Sequence, residues 1–239
     1  DENTDENTLL YTTLPLGVII MKGCIVTISL YDNLNIEDMA KGRIKGMNTD
    51  LKTRFLLLLL LKISQRFLIY LRQIDRVSSR TERNLHQSMK NKELIQMLGL
   101  EKSLVYFSTS LKTDEITLNK ITLNKIMRGK LIKLYEEDQD ILEDVMIEIH
   151  QAIEMCNIYS GILSGTMDAF ASVISNNLNI VMKVLTVITI VMAIPNIIFS
   201  FYGMNVEGLP IPQWWFPTLV AIIACVIATF IFKKKDMFH

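Results

Sequence analysis

Little in this sequence points to chemistry performed on a bound substrate. Its three cysteines, Cys24, Cys156 and Cys225, are scattered along 239 residues, which excludes a disulfide framework and the paired spacing of a structural zinc site. No phosphate-cradling Gly-Lys-Ser/Thr loop is present, so no nucleotide fuel is implied. No nucleophile, base and orienting group stand together, and the acidic residues form a run where a pocket would be needed, so an enzyme is the least favoured class. Neither sign of charge is in excess: 25 Lys and Arg oppose 25 Asp and Glu, which leaves no electrostatic footprint for a nucleic acid. No cleavable signal sequence stands near the start, and a chain whose spans come last needs none.

What the sequence has instead is two apolar runs, Val184 to Tyr202 and Trp214 to Phe232, neither containing a charged residue. Each is about 19 residues, or ~28 Å as a helix, close to the ~30 Å hydrocarbon core of a bilayer. Two membrane-spanning helices are therefore expected in preference to a soluble buried pair. Lys183 precedes the first run and Lys233, Lys234 and Lys235 follow the second, while the loop from Gly203 to Gln213 holds no Lys or Arg and one acid, Glu207. That asymmetry places both ends in the cytoplasm and the loop outside, with Trp214 and Trp215 at the outer interface. Pro195 removes a backbone donor inside the first run, which predicts a kink or local unwinding there.

Stepping back from Gly203 by alternating threes and fours reaches Ser200, Asn196, Ala193, Thr189, Thr186, Met182 and Asn179. At ~100° per residue these fall within roughly a third of the helix circumference. The opposite face carries Val187, Ile190, Val191, Ile194 and Ile198. The same alternation continues through Ser175, Ser172, Asp168, Gly165 and Gly161, so the helix begins well before the bilayer. A stripe of this kind serves either close helix packing or a water-filled path lined by hydroxyl and amide oxygens. One helix cannot enclose a path, so the second reading requires an oligomer.

Tyr202-Gly203-Met204-Asn205 directly after the first of two terminal runs, the stretch Asn179 to Thr186 at its entrance and a basic C-terminal end together resemble the CorA family of magnesium transport proteins, from about Gly42 onward. The resemblance implies a mainly α membrane protein: a truncated cytoplasmic α/β domain, then a long stalk helix continuing into the first of two C-terminal transmembrane helices, assembled as a homopentamer in the lipid bilayer. It implies a pore lined by Asn179, Met182, Thr186, Thr189, Ala193, Asn196 and Ser200, and a selectivity filter of Gly203, Met204 and Asn205 at its outer mouth. Mg2+ insists on octahedral oxygen coordination and sheds water reluctantly. Gly203 carbonyls and Asn205 amide oxygens, repeated five times, suit a hydrated ion and let it leave. Gly203 is expected to be glycine because a backbone approaching its symmetry mates leaves no room for a β-carbon; the alternative is a simple helix cap. Met182 and Leu185 are candidates for an apolar gate that dewets, or for knobs between packed helices.

The same resemblance assigns Asp144 to regulatory Mg2+ binding between protomers and Asp168 to an acidic ring at the cytoplasmic pore. The expected function is Mg2+ influx down its electrochemical gradient, with feedback from cytoplasmic Mg2+. Co2+ remains open as cargo because a hydrated-ion filter senses size and charge. Softer Zn2+ or Ni2+ fits less well, since His86, His150 and His239 lie outside the stripe. A membrane-anchored coiled-coil scaffold is the rival from another class.

In order along the chain, residues 1–50 read as the remnant of an N-terminal α/β domain. They open with the repeated Asp-Glu-Asn-Thr of Asp1 to Thr8, an acidic tail, and go on to strands Leu16 to Ile20 and Cys24 to Tyr31 around Lys22-Gly23. The family's domain has further strands and helices ahead of this point. A short helix is expected from Asn35 or Asp38, and a connection over Gly42 to Asn48. Residues 51–129 read as helical, with one helix over Thr53 to Gln87 and another from Asn91 to about Gly129 that is open to interruption at Leu98-Gly99. Arg66, Arg72, Arg76, Arg80 and Arg83 mix with Asp75 and Glu82, which suggests an ion-paired solvated face, or second a basic partner-binding surface. Ile116 to Lys120 is repeated as Ile121 to Lys125; five residues turn a helix ~140° past a full turn, so the two copies cannot present one face. Residues 130–183 form the stalk, with a coiled-coil alternation of Leu142, Val145, Ile149, Ala152, Cys156, Tyr159 and Leu163 and an acidic run from Glu136 to Glu148. The first span (184–202), outer loop (203–213), second span (214–232) and basic tail (233–239) complete the chain.

Overall fold

The computed structural model describes residues 10–88, 91–122, 135–204, 208, 211, 213 and 215–235. The Asp-Glu-Asn-Thr repeat and most of the second Ile-Thr-Leu-Asn-Lys copy fall outside them. The chain divides into two compact units, Asp1–Met167 and Asp168–His239.

In the first unit, strands β1 (Leu16–Ile20) and β2 (Ile25–Ser29) pair antiparallel with Val18 opposite Thr27. Met21 N–H donates to the Cys24 carbonyl at 2.9 Å across the turn. Helix α1 (Leu34–Ala40) starts one residue ahead of the expected Asn35, because the Asn33 side chain accepts the Asn35 N–H and so caps it. Gly42, at φ +65°, ends it in the left-handed conformation that a glycine adopts without strain. Ahead of the hairpin, Tyr11 N–H donates to Ser103 Oγ and the Ser110 hydroxyl to Thr13 Oγ1. An aromatic cluster, with Tyr11 5.8 Å from Tyr70 and Phe67 5.0 Å from Phe107, holds this segment to the helices.

Helices α2 (Lys52–Ser88) and α3 (Asn91–Thr122) pack on each other. No break occurs at Leu98-Gly99; α3 runs through, with Gly99 buried. The repeat behaves as its rotation requires, since Ile116 is 54% exposed and its counterpart Ile121 is 2% exposed. Helix α4 (Gln139–Tyr202) begins after a 3-10 turn over Glu136–Asp138 that follows Tyr135 in an extended conformation. The continuous helix α4 therefore starts at Gln139, and the expected start of the stalk at Lys130 lies outside the described residues.

The alternation expected to form a coiled-coil seam is satisfied inside one chain. Val145, Ile149, Ala152, Cys156 and Leu163 are at most 1% exposed, with Tyr159 half-buried. They face α2 and α3: Tyr159 lies within the electrostatic reach of Asp75 and Arg72, Cys156 within that of Lys112, and His150 Nε2 meets Glu115 Oε1 at 2.7 Å. Burial pushes the Cys156 thiol up to about 12, so it behaves as a small apolar side chain. Asp138, part of the acidic run, is buried as well.

The ion-paired face expected on α2 is also corrected. Arg66 pairs with Asp38 at 3.1 Å and Arg54 approaches Glu137 at 3.9 Å. Arg72, Arg76, Arg80 and Arg83 are all exposed and make no ion pair among the described residues. Their presumed partners Asp75 and Glu82 are half-buried, on the flank of α2 nearer the core.

One carboxylate of this unit is out of its ordinary range. Burial raises Asp114 on α3 from 3.8 to about 6. The folded state therefore holds its proton more tightly than the unfolded chain. The associated stability is fully present below pH ~3.8 and is lost as pH rises through 6, amounting to at most about 3 kcal/mol. Asp114→Asn should be more stable than the parent at pH 7 and match it near pH 4, as read by thermal unfolding of the detergent-solubilised chain across that window. Parallel pH profiles for the two proteins would rule this out.

In the second unit, α4 continues as an unbroken α-helix through Pro195, without the expected unwinding. Helix α5 (Trp215–Lys234) follows the loop. A proline strips the hydrogen bond from the carbonyl four residues earlier, here Val191. Cys225 on α5 supplies a donor, its Sγ lying 3.6 Å from the Val191 oxygen. Cys225→Val should cost about 0.5–1 kcal/mol, whereas Cys225→Ser keeps a donor and should melt at or above the parent temperature. Equal melting of the Val and Ser variants would remove the thiol from this role.

Candidate functional site

The residues of the polar stripe stay together on one side of α4. Asn179, Met182, Thr186, Thr189, Asn196, Ser200 and Gly203 are exposed, and Ala193 is half-buried. The opposite side is where α5 lies. Pro195 and Phe199 of α4 line a cavity of about 330 Å³ with Ala221, Ile222 and Cys225 of α5, and Tyr202 packs edge-on against Phe216 at 6.2 Å. Val187 is 1% exposed, and Val191, Ile194 and Ile198 are half-buried, while Ile190 is exposed and belongs to the free surface. Packing within the chain thus uses the apolar face and leaves the oxygen-bearing one bare.

Hydroxyls on the stripe are prepared for such a setting. Thr186 Oγ1 donates to the Met182 carbonyl at 2.7 Å and Thr189 Oγ1 to the Leu185 carbonyl at 2.8 Å. Each hydroxyl proton is used inside the helix, so the outward group is an acceptor. A surface of acceptors favours a hydrated cation. Met182 and Leu185, 52% and 55% exposed, stand one turn before Thr186 and Thr189 on the same side.

At the end of the stripe Gly203 N–H donates to the Phe199 carbonyl at 2.8 Å, closing the helix. A β-carbon at Gly203 would sit 3.2 Å from the Phe199 oxygen, closer than most side chains tolerate. Crowding by its own helix is thus one reason for glycine at this position, in addition to any neighbouring chain. Met204 is exposed, and Asn205 lies outside the described residues. Farther on, Gln213 stands just ahead of α5, its Oε1 accepting from Trp215 Nε1 and its carbonyl from Phe216 N–H.

Asp144 and Asp168 are both exposed on α4. Among the described residues no three His, Cys, Asp or Glu side chains of one chain converge on a point that can hold a metal. Both carboxylates are free to face another copy.

Two contacts were not read from the sequence. The bond from Cys225 to Val191 had a signal, the carbonyl that Pro195 orphans, but its donor lies 34 residues away in sequence. The contact of Gln213 with the Trp215 indole had no sequence signal, because it joins two side chains of the loop and first turn with no periodicity behind it.

These features describe a mainly helical protein in which α4 and α5 are both long and apolar enough to cross a bilayer. Over residues 2–234 the chain matches the family described as CorA-like Mg2+ transporter protein. The cobalt/magnesium transport protein CorA of Methanocaldococcus jannaschii is 30% identical over 94% of this chain and 72% of its own length. The protein of the same description from Thermotoga maritima is 32% identical over 56% of this chain and 41% of its own length. The complete structure of the CorA magnesium transporter from M. jannaschii superposes with a TM-score of 0.71 at 24% identity, covering 94% of this chain and 76% of that one. The chain belongs to the CorA-like Mg2+ transporter family.

Proposed function

We propose that five copies of this chain surround a central axis and conduct Mg2+ into the cell down its electrochemical gradient. The observation that carries the reading is the bare polar stripe of α4, with α5 packed on the opposite side. In a ring, α5 takes the outer, lipid-facing position and the stripe faces inward. Asn179, Met182, Thr186, Thr189, Ala193, Asn196 and Ser200 line the passage, and Gly203, Met204 and Asn205 form its outer mouth. The Lys flanks keep both termini in the cytoplasm. Moving a doubly charged ion across 100 mV is worth roughly 4.6 kcal/mol, so the gradient suffices.

Regulation follows from the acidic residues. Copies of Asp144 and its neighbours repel across protomer boundaries unless a divalent cation bridges them. High cytoplasmic Mg2+ then holds the ring closed, and Asp168 concentrates cations at the inner mouth. Co2+ has the same charge and preferred geometry and is a second cargo, which the description of the M. jannaschii relative supports.

The test is Mg2+ entry into liposomes holding the purified chain, with an internal negative potential and internal Mg2+ varied. Entry that slows as internal Mg2+ rises supports the reading. An absence of flux from an oligomer of correct size would leave a membrane-anchored scaffold, and flux indifferent to internal Mg2+ would remove the regulatory part.

A further inference from the structure

We draw no further inference here: the strongest candidate, the groove of about 1190 Å³ beneath the β1–β2 hairpin of the first unit, lined by Asn35, Arg66 and Asp114, carries none, because the unpartnered Asn35 amide oxygen is closed off within the protein and nothing in the structure shows what covers the groove.

Discussion

Asn205→Ala should abolish Mg2+ entry while leaving assembly intact. The expected loss is at least about a hundredfold in initial rate, and its size comes from repetition. One hydrogen bond from an amide oxygen to a bound hydration shell is worth about 0.5–1.5 kcal/mol net. In the proposed pentamer five copies surrender five such bonds at the same place, which sums to several kcal/mol at the mouth of the proposed pore, against about 1.4 kcal/mol per tenfold in rate. The hydrated ion is then left with the Gly203 carbonyls, too few acceptors to replace bulk water around an ion that keeps its shell. Asn205→Asp should also conduct poorly, for the opposite reason: five carboxylates bind the ion too tightly to release it. Both variants should elute at the parent size, because the bond that closes the helix, from Gly203 N–H to the Phe199 carbonyl, is a backbone one. Parent-like flux in the alanine variant would exclude the Gly-Met-Asn loop as a filter.

Much of the fold is legible from spacing alone. The ends of α4 and α5 follow from the charge-free runs, and the polar stripe keeps to one side from Asn179 to Gly203. What periodicity cannot tell is the identity of the covering surface. Val145, Ile149 and Cys156 announce a buried seam, yet the same pattern suits a neighbouring copy or the chain's own α2 and α3, and the structure shows the latter. The arginines of α2 illustrate a second gap. Asp75 and Glu82 are close in sequence, but their helix angle turns them away from the arginine side, so composition suggests ion pairs that geometry denies. The third is long-range compensation: Pro195 announces a lost bond, and nothing local announces that Cys225 replaces it. At the site, positions on α4 were legible because a helix converts sequence number into angle. The loop after Gly203 offers no such rule, and its chemistry rests on residue type.

Leu185→Asn should produce a channel that leaks at high internal Mg2+. Leu185 and Met182 are about half exposed in the single chain, on the side of α4 that carries Thr186 and Thr189. In the proposed ring of five they would form two apolar girdles, and a narrow apolar girdle excludes water and hence ions. Burying a leucine is worth roughly 1.5–3 kcal/mol, so five of them favour the closed, dry state by more than about 7 kcal/mol. Moving an equilibrium from 99% closed to 99% open takes about 5.5 kcal/mol. Asparagine at all five positions removes the apolar gain and supplies groups that hold water, which is enough to invert the population. Flux at an internal Mg2+ that silences the parent should therefore rise at least about tenfold, with the filter still selecting Mg2+ over monovalent ions. Leu185→Ile preserves the girdle and should remain regulated. Should the asparagine variant assemble at the parent size yet close normally, the constriction lies elsewhere on the stripe. Should it fail to assemble, with no flux at any internal Mg2+, Leu185 is a packing contact between neighbouring helices and the barrier to ions has another origin.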